Sequence, residues 1–151
     1  MNLAVGLLPR GLTARNGAAL SGSAAPSRCP GLLHGPGTVS ERPEPDVCVI
    51  QVEADHGPDQ TAYEAGDVLL VVEVVSPDSE ERDRKRKPQL YAEAGIAHFW
   101  RIENQTGRPT VYVYGLDPAT TSYALTGIYH DRLKLSVPFE VDIDLTEVDA
   151  L

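Results

Sequence analysis

Apolar and polar positions divide this 151-residue chain into two unlike parts. Across residues 1–40 no helix or strand period is sustained, and 24 of the 40 are Ala, Gly, Pro, Arg or Ser. From Glu44 the pattern becomes regular. Residues 46–52, DVCVIQV, alternate and carry β-branched side chains, which predicts a strand. Residues 53–66 are acidic, are broken by Gly57-Pro58 and read as a loop. Residues 68–75, VLLVVEVV, form a nearly unbroken apolar run, the pattern of a central strand covered on both faces. Residues 76–79 supply a turn or helix cap, and 80–94 read as a helix closing at Gly95. Pro88 falls inside that span, where its ring meets the carbonyl four residues back. The helix therefore starts late, with Pro88 in its first turn, or kinks there. Strands follow at 98–103, 110–114 and 123–129, with a hairpin turn at 107–109. Residues 132–135 and 141–143 add edge strands. The order β–β–α–β–β–β predicts an α/β or α+β sheet with one main helix on a face.

Length adds that the chain suits one domain with a real core. Such a chain buries roughly 68–70% of its unfolded surface. The pattern assigns residues 1–40 to a flexible, low-complexity segment and 41–151 to the domain. The first stretch has two rival readings: a targeting segment, since it is acid-free with Arg and Ser, or an altered start of a larger fold. Charge sharpens the division. Residues 1–40 hold Arg10, Arg15 and Arg28 and no acid, whereas the remainder holds 22 acids and 10 bases, a balance of −12. So acidic a body disfavours non-specific nucleic-acid binding, which needs Lys and Arg on phosphates. A local basic run at Arg82, Arg84, Lys85, Arg86 and Lys87 offsets this in part. No apolar run approaches the roughly 20 residues that span a bilayer. Cys29 and Cys48 lack CxxC spacing, which points to a cytoplasmic protein rather than a disulfide scaffold.

Candidate chemistry begins with Glu73, placed among apolar neighbours in VLLVVEVV. A buried carboxylate without a partner costs several kcal/mol, so such a group is normally paired, protonated or metal-bound. The competing reading turns Glu73 outward on a half-exposed sheet. Asp46 opens the preceding strand after Pro45, and Pro-Asp alone is ordinary turn chemistry. Two adjacent strands that each present a carboxylate can converge on a divalent cation. Mg²⁺ often takes only one or two carboxylates plus waters and substrate phosphates, and a carbonyl near Val74 would add an oxygen. Asp83, Lys87 and Tyr91 recur at i, i+4 and i+8, one face of a continuous helix. They form either a solvated ion-paired face or a support for the site. In the second case Lys87 stabilises developing negative charge. His34, His56, His98 and His130 lack zinc-ligand spacing, and no GxSxG elbow or P-loop is present.

Several of these residues occur together in one known family. Pro45-Asp46 is followed by a β run, then by VVEVVSP at 71–77 and by Asp83, Lys87 and Tyr91 in D-x3-K-x3-Y spacing. Gly95-Ile96, HFWRIE with Trp100, and RLKLSVPFEVDIDL at 132–145 complete the order. In this the chain resembles the Uma-type putative restriction endonucleases of the PD-(D/E)XK nuclease superfamily. The resemblance implies a restriction-endonuclease-like mixed sheet with one main flanking helix, its N-terminal part irregular or incomplete here. It also implies phosphodiester hydrolysis in DNA with Mg²⁺ or Mn²⁺. Asp46 and Glu73 match the two acids that hold metal. The superfamily's usual lysine position, two residues past the second acid, is Val75, so that role passes to Lys87, with Lys85 a weaker substitute. Asp83 and Tyr91 support the site, Tyr91 by holding the helix against the sheet. Arg82, Arg84, Lys85 and Arg86 would meet the DNA backbone, and cutting both strands would call for a homodimer. The alternative is a non-catalytic interaction module, or an inactive relic, that keeps the nuclease fold.

Overall fold

The apolar run at residues 68–75 forms an interior strand, as its pattern predicts. A computed structural model describes residues 12–16, 31–33, 43–51, 62–75, 82–105 and 108–147. Its strands are β1 (Leu12–Asn16), β2 (Gly31–Leu33), β3 (Val47–Gln51), β4 (Ala62–Glu64), β5 (Val68–Val75), β6 (His98–Gln105), β7 (Arg108–Asp117), β8 (Ser122–Tyr129), β9 (Arg132–Leu135) and β10 (Val141–Asp144), with one helix, α1 (Lys87–Glu93), between β5 and β6. The main sheet runs β1-β3-β5-β6-β7-β8. Its neighbours are antiparallel except β5 and β6, which run parallel and are joined through α1. The architecture is a mixed sheet with one flanking helix, consistent with a restriction-endonuclease-like fold.

Alternation splits the core in two. Cys48, Ile50, Val71 and Phe99 pack with Tyr91 of the helix on one face. Val49, Leu70, Val72, Trp100 and Ile102 pack on the other with Leu133, Phe139 and Val141. A helix covers one face of β5 and a small hairpin covers the other, which is why its sequence lacks polar alternation. That hairpin corrects the sequence-based picture. Among the described residues strands β9 and β10 pair only with each other, as a separate two-stranded sheet, and are not edges of the main one. Apolar periodicity gives a strand's faces, not the sheet it joins.

Other differences are local. Strand β1 arises in the stretch where no period is legible and pairs with β3 along its full length. Part of the expected loop at 53–66 is ordered: β4 pairs in parallel with β2, and a 3-10 turn follows at Ala65–Asp67. Arg108 and Pro109 pair with Gln105 and Asn104 inside the β6–β7 ladder, so the expected turn does not take them in, and Gly107 lies outside the described residues.

The helix is not continuous over 80–94. A wide π-type turn at Arg82–Arg86 precedes α1, and Pro88 sits in the first α-helical turn. There its missing N–H costs nothing, and the widened turn relieves the clash its ring would cause in a straight helix. At the other end Ile96 N–H bonds the Tyr91 carbonyl at 3.1 Å and Gly95 N–H bonds the Ala92 carbonyl at 3.0 Å. This is a Schellman closure, and it requires the left-handed backbone that Gly95 adopts at φ +82°. A Cβ on Gly95 would meet no atom within 4 Å. Gly95→Ala should therefore cost only the backbone term, about 1 kcal/mol, seen as a melting temperature lower by a few degrees.

Candidate active site

Register brings the two acids together. Val47 pairs with Val72 in the β3–β5 ladder, and one further step sets Asp46 beside Glu73. Asp46 lies just before β3, so its carboxylate takes the place of a ladder carbonyl: Oδ2 accepts the Val74 N–H at 2.7 Å. Glu73 shares a face with Val71, the helix face, and is fully buried. The outward alternative for this residue is therefore not adopted.

Helix α1 supplies the partners of Glu73. Lys87 and Tyr91 are four apart and reach the same carboxylate. Lys87 Nζ stands 2.7 Å from Glu73 Oε2 and also donates to the Glu44 carbonyl at 3.2 Å. The Tyr91 hydroxyl donates to Glu73 Oε1. Tyr91 also packs on Phe99, with ring centroids 6.1 Å apart, so it anchors the helix to the sheet as well as the acid. Burial pushes the Glu73 carboxyl up to about 7, against the lowering by Lys87 and Tyr91, and nearby Asp46 pushes the same way as burial. A buried acid whose charge is only partly offset, with a second acid beside it, is a donor set that fits a hard divalent cation. Among the described residues no cluster of three or more His, Cys, Asp or Glu side chains could hold a metal ion.

The remaining predicted residues are placed elsewhere or left open. The side chains of Arg82 and Asp83 lie outside the described ones. Arg84 turns to β6 and forms a bidentate pair with Glu103, at 3.0 and 2.8 Å. Lys85 borders a cavity over β6–β8, not Glu73. Arg86 is exposed.

Sequence reasoning missed Glu103, which is buried and held by both Arg84 and Arg101. The signal was present: Phe99, Arg101 and Glu103 alternate on a central strand, and two opposite charges on a covered face must satisfy each other.

The sequence matches the model of the Uma2 family, described as putative restriction endonucleases, over residues 12–146. This chain belongs to the Uma2 family. The match begins where β1 begins and takes in Asp46, Glu73, Lys87 and Tyr91. Uma2 membership supports a nuclease-type function at family level. No curated protein matches the sequence. Among the described residues no helix is long and apolar enough to cross a membrane.

Proposed function

We propose that this Uma2 chain is a divalent-metal-dependent endonuclease that hydrolyses phosphodiester bonds in DNA. The observation that carries the reading is Glu73: a fully buried carboxylate with Asp46 beside it and Lys87 2.7 Å away. Asp46 and Glu73 would hold Mg²⁺ or Mn²⁺. A cation bound there polarises the scissile phosphate and lowers the pKa of an attacking water. The Val74 N–H fixes one oxygen of Asp46 and leaves the other for coordination. Tyr91 fixes one oxygen of Glu73 from the helix side. Lys87 brings a positive charge for the charge that develops on the phosphate. Cutting both strands needs two such sites, which favours a homodimer working in the cytoplasm.

One observation favours a second reading, a non-catalytic module on the same fold: the net charge of −9 repels a polyanion. Nicking of supercoiled plasmid with Mg²⁺ or Mn²⁺ separates the two. Wild type should nick, and Asp46→Asn should lose on the order of 100-fold in rate. The metals should also raise the melting temperature of wild type by mass action on the folded state. A folded wild type that is inert and gains no stability from either metal would leave the module as the better account.

A further inference from the structure

Beside the helix lies a cavity of about 380 Å³ over β6, β7 and β8. Its lining carries three cationic side chains, Arg84, Lys85 and Arg101, and no carboxylate among the described residues. In a chain with 22 acids and 13 bases, that clustering is against the background. Two of the cations are held in place: Glu103 takes Arg84 at 2.8 Å and Arg101 at 2.7 Å. Behind them are rings. Phe99 packs against Tyr114 at 5.4 Å and against Tyr123 at 5.3 Å between centroids. Tyr123 is pinned by its hydroxyl, which donates to the Ile96 carbonyl at 2.7 Å. Arg101 lies over the Tyr114 ring at 5.4 Å.

Cations at the rim and aromatic rings at the floor match a phosphate joined to a flat heterocycle, the combination that single-strand binders use. The volume is at the small end of ligand sites, suited to one nucleotide and too small for a duplex. Held charges and packed rings lose little freedom on binding. Position gives the occupant a role. Arg101 is the register partner of Glu73 on the adjoining parallel strand, one strand spacing of about 4.8 Å away.

We propose that this cavity takes one unpaired nucleotide of the substrate strand, its phosphate at Arg84, Lys85 and Arg101 and its base against Tyr114 and Tyr123. The link to substrate rests on the nuclease reading above; the binding itself does not. The chain then favours single strands, ends or extruded nucleotides over intact duplex, whose stacked and paired bases cannot enter.

Binding in EDTA tests this without catalysis. Fluorescence anisotropy would compare a labelled single-stranded 12-mer with its duplex at about 50 mM salt, since phosphate contacts weaken steeply above that. Wild type should bind the single strand at least about tenfold more tightly, the scale of one stacked base. Lys85→Glu and Ser122→Glu alter exposed residues at the rim and spare the core. Each should weaken single-strand binding about tenfold and duplex binding far less. Equal affinity for the two DNAs, or unchanged binding by both variants, overturns the proposal. So does a free mononucleotide that binds as tightly as the 12-mer, because the cavity would then serve a small molecule. Single-strand preference in a chain that never cleaves with metal keeps the cavity and removes the nuclease reading; cleavage without preference does the reverse.

Discussion

Glu73→Gln should abolish metal-dependent cleavage, by on the order of 100-fold or more, while removing a pH dependence from the stability of the metal-free chain. Glutamine keeps an oxygen to accept from Tyr91 but has no charge to give a cation. The pH effect has a definite sign. Burial raises the Glu73 carboxyl from an ordinary 4.5 to about 7. Between those values the folded chain binds more protons than the unfolded one, so stability falls as pH rises through that window. The size of the shift corresponds to about 3 kcal/mol, complete by about pH 8. Thermal melts in EDTA from about pH 5 to pH 8 should show the decline in wild type and not in Glu73→Gln. Metal held as proposed would oppose it, because the proton must leave before the carboxylate can coordinate. The rise in melting temperature with Mn²⁺ should therefore be small near pH 5 and largest near pH 8. A wild type whose metal-free stability is flat across this range would mean that Glu73 is already ionised at low pH.

Lys87→Met should be the most destabilising single change at the site, and only above neutral pH. The lysine side chain is 14% exposed and its ammonium is 2.7 Å from the buried carboxylate. Removing one partner of such a pair leaves an uncompensated charge, at a cost of about 3 kcal/mol. Near pH 5 Glu73 carries a proton in wild type and variant alike, so the penalty there should be below about 1 kcal/mol. Urea melts at the two pH values give both numbers. An equal loss at both would assign Lys87 a packing role for its aliphatic stem instead. Cleavage should be lost as well, and excess metal should not restore it, because the missing charge is the protein's own.

Much of the candidate site's geometry is legible in the amino-acid sequence. Glu73 stands out because β5 is covered on both faces and has no polar period to explain an acid. Lys87 and Tyr91 are legible from four-residue spacing, which survives because the wide turn at Arg82–Arg86 ends just before them. Asp83 falls within that turn, and its side chain lies outside the described ones. Strand β1, LTARN, is not legible: its place comes from backbone pairing with β3, which five mixed residues do not announce. The separate β9–β10 layer is hidden for a related reason, since choosing between an edge and a second sheet needs contacts far apart in sequence. Glu103 escapes because its partner Arg84 is 19 residues upstream, in a run that reads as solvated charge.

Glu73, Lys87 and Tyr91 all belong to one β–α–β unit, β5 through β6, while Asp46 comes from 28 residues before its Val74 contact. That division orders the assembly of the site. The short loop should close first, because nearby contacts cost less chain entropy than distant ones. The carboxylate thus acquires its ammonium and hydroxyl partners as it leaves water, and no stage has to bury it bare. Docking of β3 would then add the second acid, so the meeting of the two carboxylates would be the last feature of the site to form.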